Sequence, residues 1–274
     1  MLNMRDVEVK SAAMDQEREH WRAERAYWFE RMQEWYRARY GLALCDVQMD
    51  DATTPDGALV NSIQDAQKAN PDAFFATGYR TMLFYLEELH DWGVDPMSLS
   101  SVLEMGVGLG RLLRHWSPFP AELHGCDITP PVVEFCMSVL GDRAEIVRNT
   151  ENPPLPYEKD QFDFVYANSV FTHIREEKIE AWISELARVV RPGGLAIVSI
   201  FDPNVHLSHL SKRELDRALN ASGGSYTWGN DTVRESFRHA SDALHRSQWS
   251  VSFDLLEIRT HFKDQRHLIL RRHR

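Results

Sequence analysis

Cysteine is scarce: the 274 residues hold only Cys45, Cys126 and Cys136, with no C-x-x-C spacing. An odd, widely spaced set cannot build a disulfide framework and offers no thiolate pair for zinc or redox chemistry, so reduced, buried thiols are expected. Cations are also in short supply. Lys and Arg total 31 against 41 Asp and Glu, a formal net charge of −10, whereas a surface for nucleic-acid phosphates needs a clustered cation excess. Nucleic acid is therefore not an expected partner, and the few arginines near the C-terminus do not reverse the balance. No apolar stretch approaches the length of a membrane span, and residues 1–10 show no apolar core of a signal peptide. The expectation is a cytoplasmic protein with no membrane partner. Its 43% hydrophobic residues suffice for one large core with some chain left for an appendage.

The most informative stretch is residues 101–116. An apolar run, Ser101-Val102-Leu103-Glu104-Met105, feeds into Gly106-Val107-Gly108-Leu109-Gly110 and then into the helical-looking Arg111-Leu112-Leu113-Arg114-His115-Trp116. This pattern predicts strand, glycine-rich turn and helix. Glycines serve where the chain turns with unusual φ or where a ligand must approach backbone without meeting a Cβ. About twenty residues on, Glu122-Leu123-His124-Gly125-Cys126-Asp127 ends a second short strand in an acid, placed to accept hydrogen bonds from a ribose diol. A nucleotide-like ligand follows. A dinucleotide fingerprint asks for glycine at the sixth place of G-x-G-x-x-G, and here that place is Arg111, so the fit to a nicotinamide cofactor is poor.

The segment Glu104-x-Gly106-x-Gly108-x-Gly110 instead resembles the first motif of class I S-adenosylmethionine-dependent methyltransferases. Three further segments are similar to that family. Leu155-Pro156-Tyr157 leading into Phe162-Asp163-Phe164-Val165 looks like its entry into the fourth strand, followed by Asn168-Ser169-Val170-Phe171-Thr172-His173; Arg191-Pro192-Gly193-Gly194 looks like the turn before its fifth strand; and residues 252–261 and 267–271 suit its closing antiparallel pair. The resemblance runs from about Phe74 to Arg271. It implies an α/β, Rossmann-like, doubly wound sheet of seven strands, mostly parallel with the last antiparallel, and S-adenosylmethionine as cofactor. Ligands then lie at the carboxyl ends of the strands where their order reverses.

Carried over residue by residue, the resemblance implies that Gly106, Gly108 and Gly110 let the loop approach the cofactor, while Glu104 fixes the loop or bonds the ammonium group. Asp127 holds the ribose hydroxyls and Ile128 lies against adenine. Asn149, where the family commonly has aspartate, accepts from the adenine amino group through its amide oxygen. Asn168, Ser169 and Val170 line the groove beneath the sulfonium, and Arg80 pairs with the methionyl carboxylate or is a plain surface arginine. The implied chemistry is in-line methyl transfer, in which alignment and exclusion of water do most of the work. For a hydroxyl acceptor a base assists near neutral pH, and the candidates are His173 first and then His206, with His209 behind it. Tyr226 and Trp228 are placed to shape the acceptor pocket. Asp202, His206 and His209 are read as loop residues, and no metal is expected. The layout is most similar to bacterial small-molecule or glycan methyltransferases, so the expected acceptor is a hydroxyl of a sugar or small metabolite, or else an amine. A noncatalytic cofactor-binding scaffold and a nicotinamide-dependent oxidoreductase are the competing classes.

Outside the motifs, Trp21, Trp28, Met32 and Trp35 stand at spacings of seven, four and three within residues 15–40, a stripe that predicts a long amphipathic helix. It is expected to pack on the core or on a second copy, giving a homodimer through this helix. The Thr53-Thr54-Pro55-Asp56-Gly57 stretch reads as a loop, which places a helical extension over residues 1–70 and the methyltransferase-like domain over residues 71–274. Helices are further predicted over residues 74–92 and 176–190. Ser211-Lys212-Arg213-Glu214 reads as a capping box, residues 222–230 as a flexible loop, and a helix capped by Asp231 or Thr232 as running to about His245.

Overall fold

The apolar runs bracketed by turn residues become the inner strands of one sheet: β1 (Ser101–Met105) and β4 (Phe162–Ala167) are buried along their whole length, as expected of strands covered on both faces. This computed structural model describes residues 4–43, 70–202, 211, 213, 225–229, 236–261 and 265–274. Cys45, His206, His209, the 53–57 loop and most of the 211–214 capping box lie outside the described residues, as do the side chains of Tyr226 and Trp228. Seven strands form the main sheet. With β2 (Glu122–Asp127), β3 (Ala144–Arg148), β5 (Val190–Phe201), β8 (Phe253–Thr260) and β9 (Gln265–Arg272), the order is β3-β2-β1-β4-β5-β9-β8. Neighbours from β3 to β5 pair in parallel, and β9 runs antiparallel to both β5 and β8. The order reverses between β1 and β4, so a crevice opens outside their carboxyl ends.

Alternation along each strand gives the sheet two cores. Val102, Phe164, Tyr166, Ile197 and Ile269 face one way and pack with α1 (Met4–Tyr40), α2 (Pro71–Asp91) and α3 (Pro130–Leu140). Leu103, Val165, Val198, Leu268 and Leu270 face the other way, against α4 (Glu176–Val189) and α5 (Asp242–Trp249). Asn70 caps α2, its side chain accepting from Asp72 N and Ala73 N at 2.9 and 3.4 Å, and Pro71 supplies a preset φ in the first turn. Burying Phe74, Phe75, Leu86 and Leu89 on α2 stabilises the fold by roughly 1.5–3 kcal/mol per side chain before entropy costs. The second half of α1 belongs to this core: Met32, Trp35 and Tyr36 are buried, and the Tyr36 hydroxyl donates to His115 O at 3.1 Å. Residues 13–20 of the same helix are exposed.

Three local expectations are corrected. Residues 111–116 are not an α-helix: they form turns and a single 3-10 turn, Leu113–Trp116. Gly108 and Gly110 hold positive φ just before it, and the buried Arg114 side chain donates to Gly110 O and Leu109 O at 2.8 and 3.1 Å, satisfying carbonyls that a helix would otherwise bond. Arg191-Pro192-Gly193-Gly194 is not a turn ahead of β5 but an irregularity inside it, where pairing jumps from Phe162↔Val190 to Phe164↔Leu195. Gly194 is needed there, since a Cβ would stand 2.9 Å from the carbonyl oxygens of Arg191 and Asp163. Last, the helix expected from residue 231 to about His245 starts only at Asp242 under the Ser241 cap: β6 (Ser225–Gly229), within the expected loop, pairs with β7 (Ser236–Ala240), within the expected helix, as a hairpin. Aromatic and hydroxyl-bearing residues in Ser-Tyr-Thr-Trp and Ser-Phe suit a pleated surface, and cross-strand pairing outweighs the neighbouring glycines.

Candidate functional site

The glycine loop leaves β1 and is pinned to β2 by two bonds to one acceptor, Gly106 N and Val107 N donating to Cys126 O at 2.8 and 2.9 Å. Its three glycines all have positive φ, 76°, 52° and 70° for Gly106, Gly108 and Gly110, but they meet different surroundings. A Cβ on Gly106 would lie 2.3 Å from Val170 Cγ2, and one on Gly110 would lie 2.6 Å from Leu140 Cδ1. A Cβ on Gly108 would meet nothing within 4 Å. Gly110 therefore serves close packing of α3, Gly106 lets the end of β4 approach, and Gly108 presents open backbone to the crevice.

Asp127 closes this corner. One carboxylate oxygen accepts from Gly108 N at 3.1 Å and the other from Thr129 N at 2.9 Å. Each oxygen keeps a further lone pair, and the side chain is only half-buried, so a diol can still donate to it. At the end of β3, Asn149 is buried; its Nδ2 donates to Thr150 O at 3.2 Å while Oδ1 has no hydrogen-bond partner. An orphaned buried acceptor costs about 1–3 kcal/mol, and an amino group from a ligand would satisfy it. Ile128 lies half-buried beside Asp127. These residues fit a ribose and an exocyclic amine.

Glu104 sits deeper, 3% exposed on β1, and accepts from the Tyr166 hydroxyl at 3.1 Å. Burial pushes its carboxyl up to about 8, with the Arg111 charge and the Tyr166 hydrogen bond working against that rise. Tyr85 of α2 packs on Tyr166, ring centroids 5.2 Å apart, and donates to Asn168 Oδ1 at 3.2 Å. Glu104 and Asn168 are thus joined to a pair of tyrosines under α2, neither of which was singled out in the sequence.

Beyond β4 the chain turns at Ser169, whose φ of 59° is rare for a residue with a Cβ. Val170 follows against Gly106, and His173 N donates to Val170 O at 2.9 Å. The His173 ring is partly buried near Phe201, with centroids 6.4 Å apart. On the far side, Arg80 lies one turn of α2 from Phe84, on whose ring His261 stacks at 3.9 Å. His267 is 4.9 Å from the same ring. Burial lowers His261 to about 2, helped by His267 and Arg80, and burial alone lowers His267 to about 3. Both imidazoles are neutral at physiological pH. Tyr79, by contrast, is buried against Phe29, Phe75 and His115.

The β6–β7 hairpin is clasped to this region. Arg238 N donates to Thr172 O at 2.8 Å, and the buried guanidinium bonds Glu176 at 2.5 Å and Gln248 at 2.9 Å. The Asp of the Phe162-Asp163 pair lies at the opposite edge, accepting from Ser101 N at 3.2 Å and pairing with Arg191 at 2.6 Å. That part of the motif shapes the sheet and not the crevice. No group of three or more His, Cys, Asp or Glu among the described residues is arranged to hold a metal ion. Cys126 and Cys136 are free, buried thiols.

Residues 103–198 match a protein family described as "Methyltransferase domain". The chain is 31% identical over 100 residues to malonyl-[acyl-carrier protein] O-methyltransferase of Hahella chejuensis, covering 36% of this chain and 35% of that protein. It is likewise 31% identical over 103 residues to tRNA (carboxymethyluridine(34)-5-O)-methyltransferase of Arabidopsis thaliana, covering 37% and 24% of the two chains. It therefore spans only a quarter to about a third of these relatives' length. The fold is similar to the crystal structure of Burkholderia thailandensis 1,6-didemethyltoxoflavin-N1-methyltransferase, at a TM-score of 0.56 and 15% identity over 79% of this chain and 86% of that one. The tRNA-directed relative means that the expectation of no nucleic-acid partner is not supported by these likenesses. Residues 103–198 thus match a methyltransferase domain, and the sheet that carries them has the strand order and glycine loop described above.

Proposed function

We propose that the protein binds S-adenosylmethionine at the carboxyl edge of β1 and β4 and transfers its methyl group to a hydroxyl of a small molecule or sugar, or to an amine. The open backbone at Gly108 beside the half-exposed Asp127 carboxylate carries this reading. Asp127 would hold the ribose, Asn149 Oδ1 the adenine amino group with Ile128 against the ring, and Glu104 the ammonium end, with Arg80 near the carboxylate. Bound there, the cofactor supplies a methyl on a sulfonium, which an acceptor lone pair displaces in line. The protein's part is to orient both partners and exclude water. His173, in the turn after Val170, is the first candidate to take a proton from a hydroxyl acceptor; an amine needs no such base. A net charge of −10 favours a small acceptor over a polynucleotide. Methyl transfer from labelled S-adenosylmethionine to a panel of sugars, phenols, amines and tRNA tests this: product with a small hydroxyl or amine is expected, and labelling of tRNA alone would overturn the acceptor class. We assign this activity to a domain over residues 71–274. The exposed first part of α1, with Met14 and Tyr27 over half exposed, is the surface we assign to pairing with a second copy; a monomer by sedimentation velocity would contradict that.

A further inference from the structure

The turn after β4 holds Ser169 in the left-handed region, with φ of 59°. A residue with a Cβ stays there only when its surroundings hold it. Two side chains from two other strands do so. Ser169 N donates to Ser199 Oγ of β5 at 2.6 Å, and Ser169 Oγ accepts from Gln265 Nε2 of β9 at 2.6 Å. Ser199 is fully buried. Gln265 is the first residue of the reversed strand, paired with Phe201 at the end of β5, so the antiparallel turn of the chain brings it to the crevice edge. On either side of Ser169 stand the two residues that face the groove. Asn168 bonds Tyr85, and Val170 occupies the place a Cβ on Gly106 would need. The Ser169 backbone therefore sets the distance between the end of β4 and the glycine loop.

We propose that Ser199 and Gln265 are positioning residues for the cofactor groove, clamping Ser169 in its left-handed turn so that Asn168 and Val170 stay in register with the glycine loop. This rests on reading that edge as the S-adenosylmethionine site. Neither residue touches the cofactor in this account; both act through Ser169. Removing either partner frees Ser169 to relax toward a commoner φ, which carries Val170 and Asn168 with it. Misplacement of about 1 Å at such a site is worth up to about a hundredfold in rate.

The test is calorimetric titration of S-adenosylhomocysteine into the unaltered chain and into Ser199→Ala, Gln265→Ala, Ser169→Gly and the Ser169→Gly/Gln265→Ala double variant, each checked by thermal melting. The expected result is binding by the unaltered chain and about tenfold or greater weakening in Ser199→Ala and Gln265→Ala, with cooperative melting retained in Gln265→Ala. In Ser169→Gly the bond to Gln265 is already gone, so adding Gln265→Ala should cost nothing more. Full affinity in Gln265→Ala, or additive losses in the double variant, would overturn the clamp while leaving the cofactor site intact. Failure of the unaltered, folded chain to bind would overturn the cofactor reading and the clamp with it.

Discussion

Gly106, Gly108 and Gly110 share one sign of φ but not one job, and substitution separates them. Gly110→Ala drives a Cβ into Leu140 at 2.6 Å and should cost about 2–4 kcal/mol by urea denaturation, through backbone strain together with overpacking. Gly108→Ala meets open space and should cost only about 1–2 kcal/mol from its left-handed φ, yet it should abolish detectable cofactor binding. Equal stability losses at the two positions would contradict this division. Glu104 makes a pH prediction. Its folded carboxyl is raised from the ordinary carboxylate value of 4.5 to about 8, chiefly by burial, so between those values the folded chain binds more protons than the unfolded one and stability falls as pH rises. Melting temperatures from pH 5 to 9 should show that decline in the unaltered chain and a shallower one in Glu104→Gln. The glycines and Asp127 were readable in the sequence because their spacing is local. Tyr85, Tyr166, Ser199 and Gln265 were not, because each bonds a residue between 30 and 96 positions away, and a lone Ser or Tyr in an apolar run looks like ordinary strand.

Among the elements, α1 changes character along its length. Met32 is buried in the core shared with α2, whereas Met14 is over half exposed. Met32→Ala should therefore cost about 2–5 kcal/mol and Met14→Ala less than about 0.5 kcal/mol, measured by urea denaturation; a large loss at Met14 would mean that its half of the helix is buried in solution. The tryptophan spacing announced this helix but not where its burial stops, because residues 13–20 continue the same helix while standing exposed. The β6–β7 hairpin was hidden for a different reason. Its strands are five residues each and lie next to a glycine-rich stretch, while what fixes them is Arg238 on Glu176 and Gln248. Arg238→Ala leaves the half-buried Glu176 carboxylate without its cationic partner, with Gln248 still donating to it at 2.6 Å. It should lower stability by about 2–3 kcal/mol and, under the proposed function, raise KM for the acceptor more than that for the cofactor.

For the molecule as a whole, the strand order β3-β2-β1-β4-β5-β9-β8 brings distant parts of the chain to one edge of the sheet. β1 brings the glycine loop, β2 Asp127, β3 Asn149, β4 the Ser169 turn and β9 Gln265. Doubly wound topology was legible because strand and helix signals alternate and the glycine loop marks β1. The correction at residues 111–116 shows where periodicity misleads, since positive φ at Gly108 and Gly110 and the inward Arg114 displace a helix that composition favours. The most direct measurement is calorimetric titration of the purified protein with S-adenosylmethionine, using Asp127→Ala and NADH as controls. Micromolar binding that disappears in a folded Asp127→Ala variant, with no heat from NADH, is the expected result. No binding of S-adenosylmethionine by a protein shown to be folded, or binding of NADH in its place, would contradict the account.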